Sequence, residues 1–233
     1  MSRRAWLISG AAVVAIIVVV VAIVVSVSGG DSSNDSSASS GGSVSGAAKV
    51  LALTKGIPQD GFTVGKASAP VKVQEFLDPQ CPVCKKASEG AVAALVAGPV
   101  RSGTANLAVV PLKFIGSDSV TASQAIAAAA EQDRGFVYSD ILYANQGAEN
   151  TGWVTTPLLK GIAAAIPGID VATWETASTG DAAVNAVFAA SDQATSAGVN
   201  ATPTFVITGP GGTKKLVGAI PAAELLAAVK SVS

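Results

Sequence analysis

Histidine is missing altogether from the 233 residues. Its absence excludes a Ser-His-Asp triad, a Cys-His pair and an HExxH zinc site. Cysteine is scarce: there are two, too few without histidine to ligate a structural zinc ion or an iron–sulfur cluster. Charged residues make up 13% of the chain, about half the usual ~25%. The formal net charge is −1 and the positive residues are scattered, so no basic stripe is available for nucleic acid. Apolar residues reach 49%, which excludes a highly charged, disordered chain. What remains is chemistry that two thiols or a few carboxylates can perform.

The apolar content is uneven. Ala5 to Val27 is a run of 23 residues without a charge. As a helix it would extend about 34 Å, enough to cross a ~30 Å hydrocarbon core. Arg3 and Arg4 precede it and Asp31 and Asp35 follow it, so the positive flank is expected in the cytoplasm. Residues 1–27 thus read as a cytoplasmic tip and a single-pass anchor in the cell membrane. A cleaved signal peptide is the competing reading. Its apolar region is normally shorter, and Ser26-Val27-Ser28 is a poor small-x-small site. Either reading carries the remainder to the extracytoplasmic side, where disulfides are permitted.

Residues 28–48 contain 14 Ser or Gly in 21 positions and bury too little to offset ordering entropy. They read as a linker of ~25 Å root-mean-square reach. Residues 49–233 read as one domain with room for a proper core.

Within that domain, Val71 to Leu77 alternates and is β-prone, behind Pro70. Asp78-Pro79-Gln80 breaks it, and a helix is expected from Cys81-Pro82, with proline at its first position. Gly98-Pro99 should end that helix. Asn106 to Phe114 reads as a second strand. The span from about 117 to 177 reads as a helical insertion, followed by a helix over Asp181 to Ala197. Pro203 to Thr208 and Lys214 to Val217 flank the turn Gly209–Gly212 as a hairpin. Pro221 to Val232 reads as a closing helix. The order implies a mixed α/β sheet, with parallel neighbours from the first crossover and antiparallel ones from the hairpin. Trp153 and Trp174, in the helical block, read as core side chains. Gly209–Gly212 lacks the context and lysine of a phosphate loop.

The two cysteines are Cys81 and Cys84. Random placement would give that spacing about once in a hundred chains, so it points to selected chemistry. Residues three apart share a helix face. The first lies where free N–H groups and the positive dipole end favour a thiolate. The second can attack a mixed disulfide from the same turn. A structural disulfide is the bland alternative, but so short a loop restricts the unfolded chain little. A metal half-site would lack its other ligands.

Glu75-Phe76-Leu77-Asp78-Pro79-Gln80-Cys81-Pro82-Val83-Cys84 resembles the active-site segment of the DsbA-like thiol-disulfide oxidoreductases of the thioredoxin-fold superfamily. Asn200 to Val206, with Thr202-Pro203-Thr204-Phe205, resembles their proline-led strand. The likeness covers roughly residues 62–232 and implies a thioredoxin-like mixed sheet with an inserted helical domain. It implies that Cys81 is the nucleophile and Cys84 the resolving thiol. Pro203 would be a cis-proline facing them, although an ordinary strand-leading proline is the alternative. Pro82, Val83, Thr202 and Pro203 would meet the substrate, with Thr202 offering backbone groups to an added strand. Glu75 would be a buried acid relaying protons for Cys84, against the alternative of a solvated charge on an edge strand. One departure is Val83, where strongly oxidising relatives often carry histidine.

The resemblance implies an extracytoplasmic enzyme that passes a Cys81–Cys84 disulfide to exported proteins with thiols. No cofactor is implied. A quinone-coupled membrane partner of the DsbB or vitamin K epoxide reductase type would reoxidise it. A membrane-anchored reductase and a redox-inert binding or chaperone module are the competing readings. A monomer is expected, because no long apolar stripe lies outside the anchor and core.

Overall fold

The computed structural model describes residues 44–233. The expected anchor at 1–27 and most of the expected linker lie outside the described residues. Among those described, no helix is long and apolar enough to cross a membrane.

Regular structure begins inside the span expected as linker, with α1 (Ala47–Thr54). The Asn145 side chain fixes its entry, accepting from the Ser45 N–H at 2.9 Å and donating to the Ser45 carbonyl at 3.0 Å. The strands β1 (Gln59–Asp60), β2 (Thr63–Val64), β3 (Val71–Leu77), β4 (Ala105–Pro111), β5 (Thr204–Gly209) and β6 (Gly212–Val217) form one sheet in the order β1-β2-β4-β3-β5-β6. β3 runs parallel to β4, and the other pairs are antiparallel. β1 and β2 are two residues each, too short to leave a periodic signal in sequence.

β3 is a central strand and both its faces are covered. Val71, Val73 and Leu77 face the larger core, with Leu107, Phe205 and Ile207. Phe76 faces a smaller one, with Val110 and Leu112, closed by Ala190 and Ala194 of α8 (Asp181–Ser196). Each such fully buried side chain contributes roughly 1.5–3 kcal/mol. Gly198 ends the α8 turn in the left-handed region at φ +60°, with the Val199 N–H returning to the Ala194 carbonyl at 2.8 Å. That Schellman-type stop needs glycine and sends the chain back toward β5.

Between β4 and α8 lie α4 (Ser117–Ala130), α5 (Gly135–Ala144), α6 (Thr156–Ala165) and α7 (Val171–Ala177). The alanines of α4 let it pack closely against α5 and α8. Thr155 and Asp170 cap α6 and α7 with their side chains, as expected of such residues before a helix. Trp174 is buried, donates to the Ala125 carbonyl at 3.0 Å and stacks on Tyr138. It is a core residue.

Two sequence expectations need correction. The helix that opens at α2 (Pro82–Ala87) does not stop at Gly98-Pro99. It continues through a wide-turned segment Ser88–Val92, α3 (Ala93–Leu95) and a second wide turn Val96–Val100. Wide turns shift the bonding pattern so that an N–H can be dispensed with, and Pro99 has none to offer. The strand expected over Asn106 to Phe114 ends at Pro111. Past it, the Ile115 N–H goes to Asp78 Oδ2 at 3.1 Å instead of a strand neighbour.

Candidate active site

The chain leaves β3 at the centre of the sheet and turns through Asp78-Pro79-Gln80 into α2. Asp78 makes the turn: its Oδ1 accepts the Gln80 N–H at 2.9 Å and its carbonyl accepts the Cys81 N–H at 2.9 Å. An aspartate accepting from two residues on is an Asx-turn. Cys81 is the N-cap of α2, with extended φ −71° and ψ 116°, and Pro82 follows at the start of the helix. The Cys81 Sγ accepts the Cys84 backbone N–H at 3.4 Å. Sulfur here replaces the oxygen of an ordinary cap.

The two thiols lie one helical turn apart and in different environments. Cys81 is 6% exposed and Cys84 is fully buried. The Cys81 thiol is lowered to about 6. The largest cause is the Cys84 thiol donating to it, opposed by burial and assisted by the backbone N–H groups of Cys84 and Val83 and by the Thr202 side chain. The Cys84 thiol is pushed well above its ordinary range, first by burial and then by its interaction with Cys81. Near neutrality the pair is therefore a Cys81 thiolate beside a Cys84 thiol.

Thr202 and Pro203 complete the rim. Their peptide bond is cis, and the Cys81 Sγ lies 3.6 Å from the Thr202 carbonyl oxygen. The Pro203 carbonyl accepts the Gly218 N–H at 2.8 Å. Pro82 is exposed and Val83 is 37% exposed, so both face solvent at the mouth of the site. Cys81, Cys84, Thr202 and Pro203 are thus brought to one spot, flanked by Pro82 and Val83.

Glu75 lies deeper. It pairs with Val109 on one side and Phe205 on the other, so it is not on an edge strand. It shares the face of Val71, Val73 and Leu77, is 2% exposed, and its Oε1 has no hydrogen-bond partner. Its carboxyl is held well above the usual range by burial, with the Asp140 charge adding to the effect. Glu75 also acts by its charge on the Cys84 thiol. A buried acid whose charged form is disfavoured, acting on a buried thiol, is suited to exchanging a proton with it.

Sequence reasoning missed the frame around these residues. Ser119 donates to Asp78 Oδ1 at 2.6 Å, and Tyr143 donates to the Asp78 carbonyl at 3.0 Å. Gln80 donates to Ser119 Oγ at 3.0 Å, and its own Oε1 accepts the Asn150 N–H at 2.7 Å. Gln146 donates to the carbonyls of Pro79 and Cys81 at 2.9 and 3.1 Å. The helical block thus clamps the turn that presents Cys81. The one local signal was Asp78 itself, an Asx-turn residue directly before a proline. Among the described residues no group of three or more cysteines and carboxylates is arranged to hold a metal ion.

The described geometry agrees with what the chain resembles. A family model described as thioredoxin matches residues 58–230. Over 112 residues the chain is 33% identical to a probable disulfide bond formation protein D of Bacillus cereus, a match covering 47% of this chain and 52% of that one. The chain spans about half the length of the curated relatives it matches. Its fold is similar to that of oxidised BdbD from Bacillus subtilis, with TM-score 0.65, 23% identity, and coverage of 75% of this chain and 95% of that one. It is similar also to DsbA of Chlamydia trachomatis, with TM-score 0.63, 21% identity, and coverage of 72% and 89%.

Proposed function

This chain belongs to the thioredoxin family, and we propose that, as a DsbA-like member of it, the chain exchanges a Cys81–Cys84 disulfide with protein thiols, in the oxidising direction. The opposite displacement of two thiols one turn apart carries the reading: Cys81 is lowered to about 6 and Cys84 is raised. Stabilising the Cys81 thiolate stabilises the reduced enzyme, which makes its disulfide the better oxidant.

The steps follow from the geometry. A client thiolate attacks the Cys81 Sγ of the enzyme disulfide, and the Cys81–Cys84 bond breaks. Cys84 leaves as a thiolate and is protonated from the buried acid beneath it. A second client thiolate attacks the client sulfur of the mixed disulfide and displaces Cys81, a good leaving group because its thiolate is stabilised. The client gains a disulfide and the enzyme holds the two electrons. An oxidant disulfide returns it to the start, with Cys84 giving up its proton as it attacks the Cys81 Sγ. The exposed Pro82-Val83 pair and the Thr202 carbonyl offer the client an apolar contact and a strand-like acceptor.

The place of work is extracytoplasmic, supported by the charge-free run Ala5 to Val27 behind Arg3 and Arg4. The clients are exported proteins with thiols, and the reoxidant is a quinone-coupled membrane protein of the DsbB or vitamin K epoxide reductase type. A reductase is the second reading, favoured by Val83, whose side chain offers the thiolate no donor.

Equilibration with glutathione separates the directions. A potential well above the value of about −270 mV typical of thioredoxin supports the oxidase, and a value near it overturns that assignment. A Cys81→Ser variant that handles clients unchanged would remove the enzyme reading altogether in favour of a redox-inert binding module.

A further inference from the structure

One buried acid, Asp140, is used neither by the exchange reaction nor by the turn that Asp78 makes. Asp140 of α5 lies on the wall of a small pocket of about 60 Å³, which opens between α1, α5 and the helix running on from α2. It accepts a hydrogen bond from Ser88 Oγ at 2.7 Å. Two spacings tie this corner to the active site. Ser88 follows Cys84 by four residues, one turn along the same helix face. Tyr143 follows Asp140 by three residues on α5, lines the same pocket, and is itself raised by burial and in part by the charge of Cys84. Cys84 and Ser88 on one helix therefore oppose Tyr143 and Asp140 on the other. Glu75 of β3, whose charge acts on Cys84, has an oxygen with no partner.

We propose that Asp140 is a second proton relay for the reaction proposed above, carrying protons between the buried Cys84–Glu75 pair and the pocket. When Cys84 attacks the Cys81 Sγ of a mixed disulfide, the Cys81–sulfur bond breaks and the client thiolate leaves. Asp140, once ionised, takes the proton that Glu75 holds and releases it by way of the pocket, and Glu75 takes the Cys84 proton in its place. In the oxidising direction the same route returns a proton to Cys84.

The charges around Asp140 support this role. Burial raises its carboxyl to about 7, while the Ser88 hydrogen bond and Lys49 of α1 pull it down and Glu89 pushes it up. The Asp140 charge is also felt by Glu75 of β3. The other elements packed on α5 bring no charged group to the pocket lining. An acid poised near neutrality accepts and returns protons readily.

The test mixes the reduced protein with oxidised glutathione across pH 5–9 and follows, by acid quench and mass spectrometry, the decay of the Cys81–glutathione mixed disulfide. The wild-type resolving rate should rise with pH through an inflection near 7. Asp140→Asn should lose that inflection and resolve about ten-fold more slowly above it, below the ~10²–10⁴ of a full general base. Ser88→Ala and Lys49→Met each remove a group that holds Asp140 down, so both should move the inflection to higher pH. Lys49 is exposed, so its variant remains informative if Asp140→Asn does not fold. In all three, Cys81 should still alkylate with its inflection near 6. An Asp140→Asn profile superimposable on wild type overturns the relay, as does an inflection unmoved in both of the other variants. A wild-type protein that never forms the glutathione adduct overturns the relay together with the oxidoreductase reading. Normal adduct formation with an indifferent Asp140 removes the relay alone.

Discussion

The backbone N–H of Cys84 points at the Sγ of Cys81 across 3.4 Å, so the residue proposed to resolve the mixed disulfide also stabilises the Cys81 thiolate. The Cys84 thiol adds to this, being the largest cause of the lowered Cys81 value.

Removing that thiol should therefore cost acidity as well as resolution. In Cys84→Ala, the inflection of Cys81 alkylation should move up from about 6 toward the ordinary thiol range. In Cys84→Ser, which keeps an O–H donor, it should stay closer to wild type. Both variants should accumulate mixed disulfides at Cys81, because nothing remains to displace the client. Rates of iodoacetamide labelling against pH read the first effect, and non-reducing gels read the second. Equal inflections in the two variants would show that the side-chain donor does not set the acidity.

Glu75 links chemistry to stability. Its carboxyl keeps a proton in the folded protein that the unfolded chain gives up above about pH 4.3. Its contribution to stability is thus fully present below that pH and is lost as pH rises through the folded value. Glu75→Gln keeps the shape without the charge. Its urea midpoint should exceed that of wild type, by more at pH 8 than at pH 4.5. Its resolving step should slow by roughly 10²-fold. A gap in midpoint that is constant with pH would mean that Glu75 is charged in the folded state or is not buried as described.

The cysteine pair and the Thr202-Pro203 rim were legible because each sits in a short motif whose chemistry is local. The depth of Glu75 was not. Alternation along Val71 to Leu77 puts Glu75 on the face of Val71, Val73 and Leu77, opposite Lys72, Gln74 and Phe76, but it does not say what covers that face at Glu75. Which neighbours cover Glu75 depends on β4 and β5 flanking β3, and those strands are separated from it by about 30 and 130 residues. Asp140 and Ser88 were invisible for the same reason, since their contact spans 52 positions. Gly98-Pro99 misled because both residues ordinarily end helices, whereas here a wide turn carries the chain through.

The clamp on the Cys81 turn predicts a second kind of failure. Asp78 is fully buried and accepts from Gln80, Ile115 and Ser119. Asp78→Ala leaves two backbone donors and a hydroxyl without that acceptor. Each orphaned buried group costs about 1–3 kcal/mol, so a loss of roughly 3–5 kcal/mol is expected in urea unfolding. The Cys81 alkylation rate should rise, because the turn no longer holds the thiol at 6% exposure. A loss below about 1 kcal/mol, as for a surface contact, would show that the loop does not depend on this carboxylate.

Val83 sets the last expectation. Its backbone N–H helps to hold the Cys81 thiolate, but its side chain contributes no donor. At 37% exposure it can be exchanged with little effect on packing. Val83→His places an imidazole beside the sulfur, where its protonated form is an opposite charge that favours the thiolate. The alkylation inflection should fall below about 6. For each tenfold gain in stability of the reduced form, the potential should rise by about 30 mV. The chain has no histidine of its own, so the introduced ring gives an unobstructed proton NMR signal. Its titration midpoint should be higher in the reduced protein, facing a thiolate, than in the oxidised one. Equal midpoints in the two states would place the sulfur charge out of reach of position 83, and the acidity of Cys81 would then be set by the helix end and Cys84 alone.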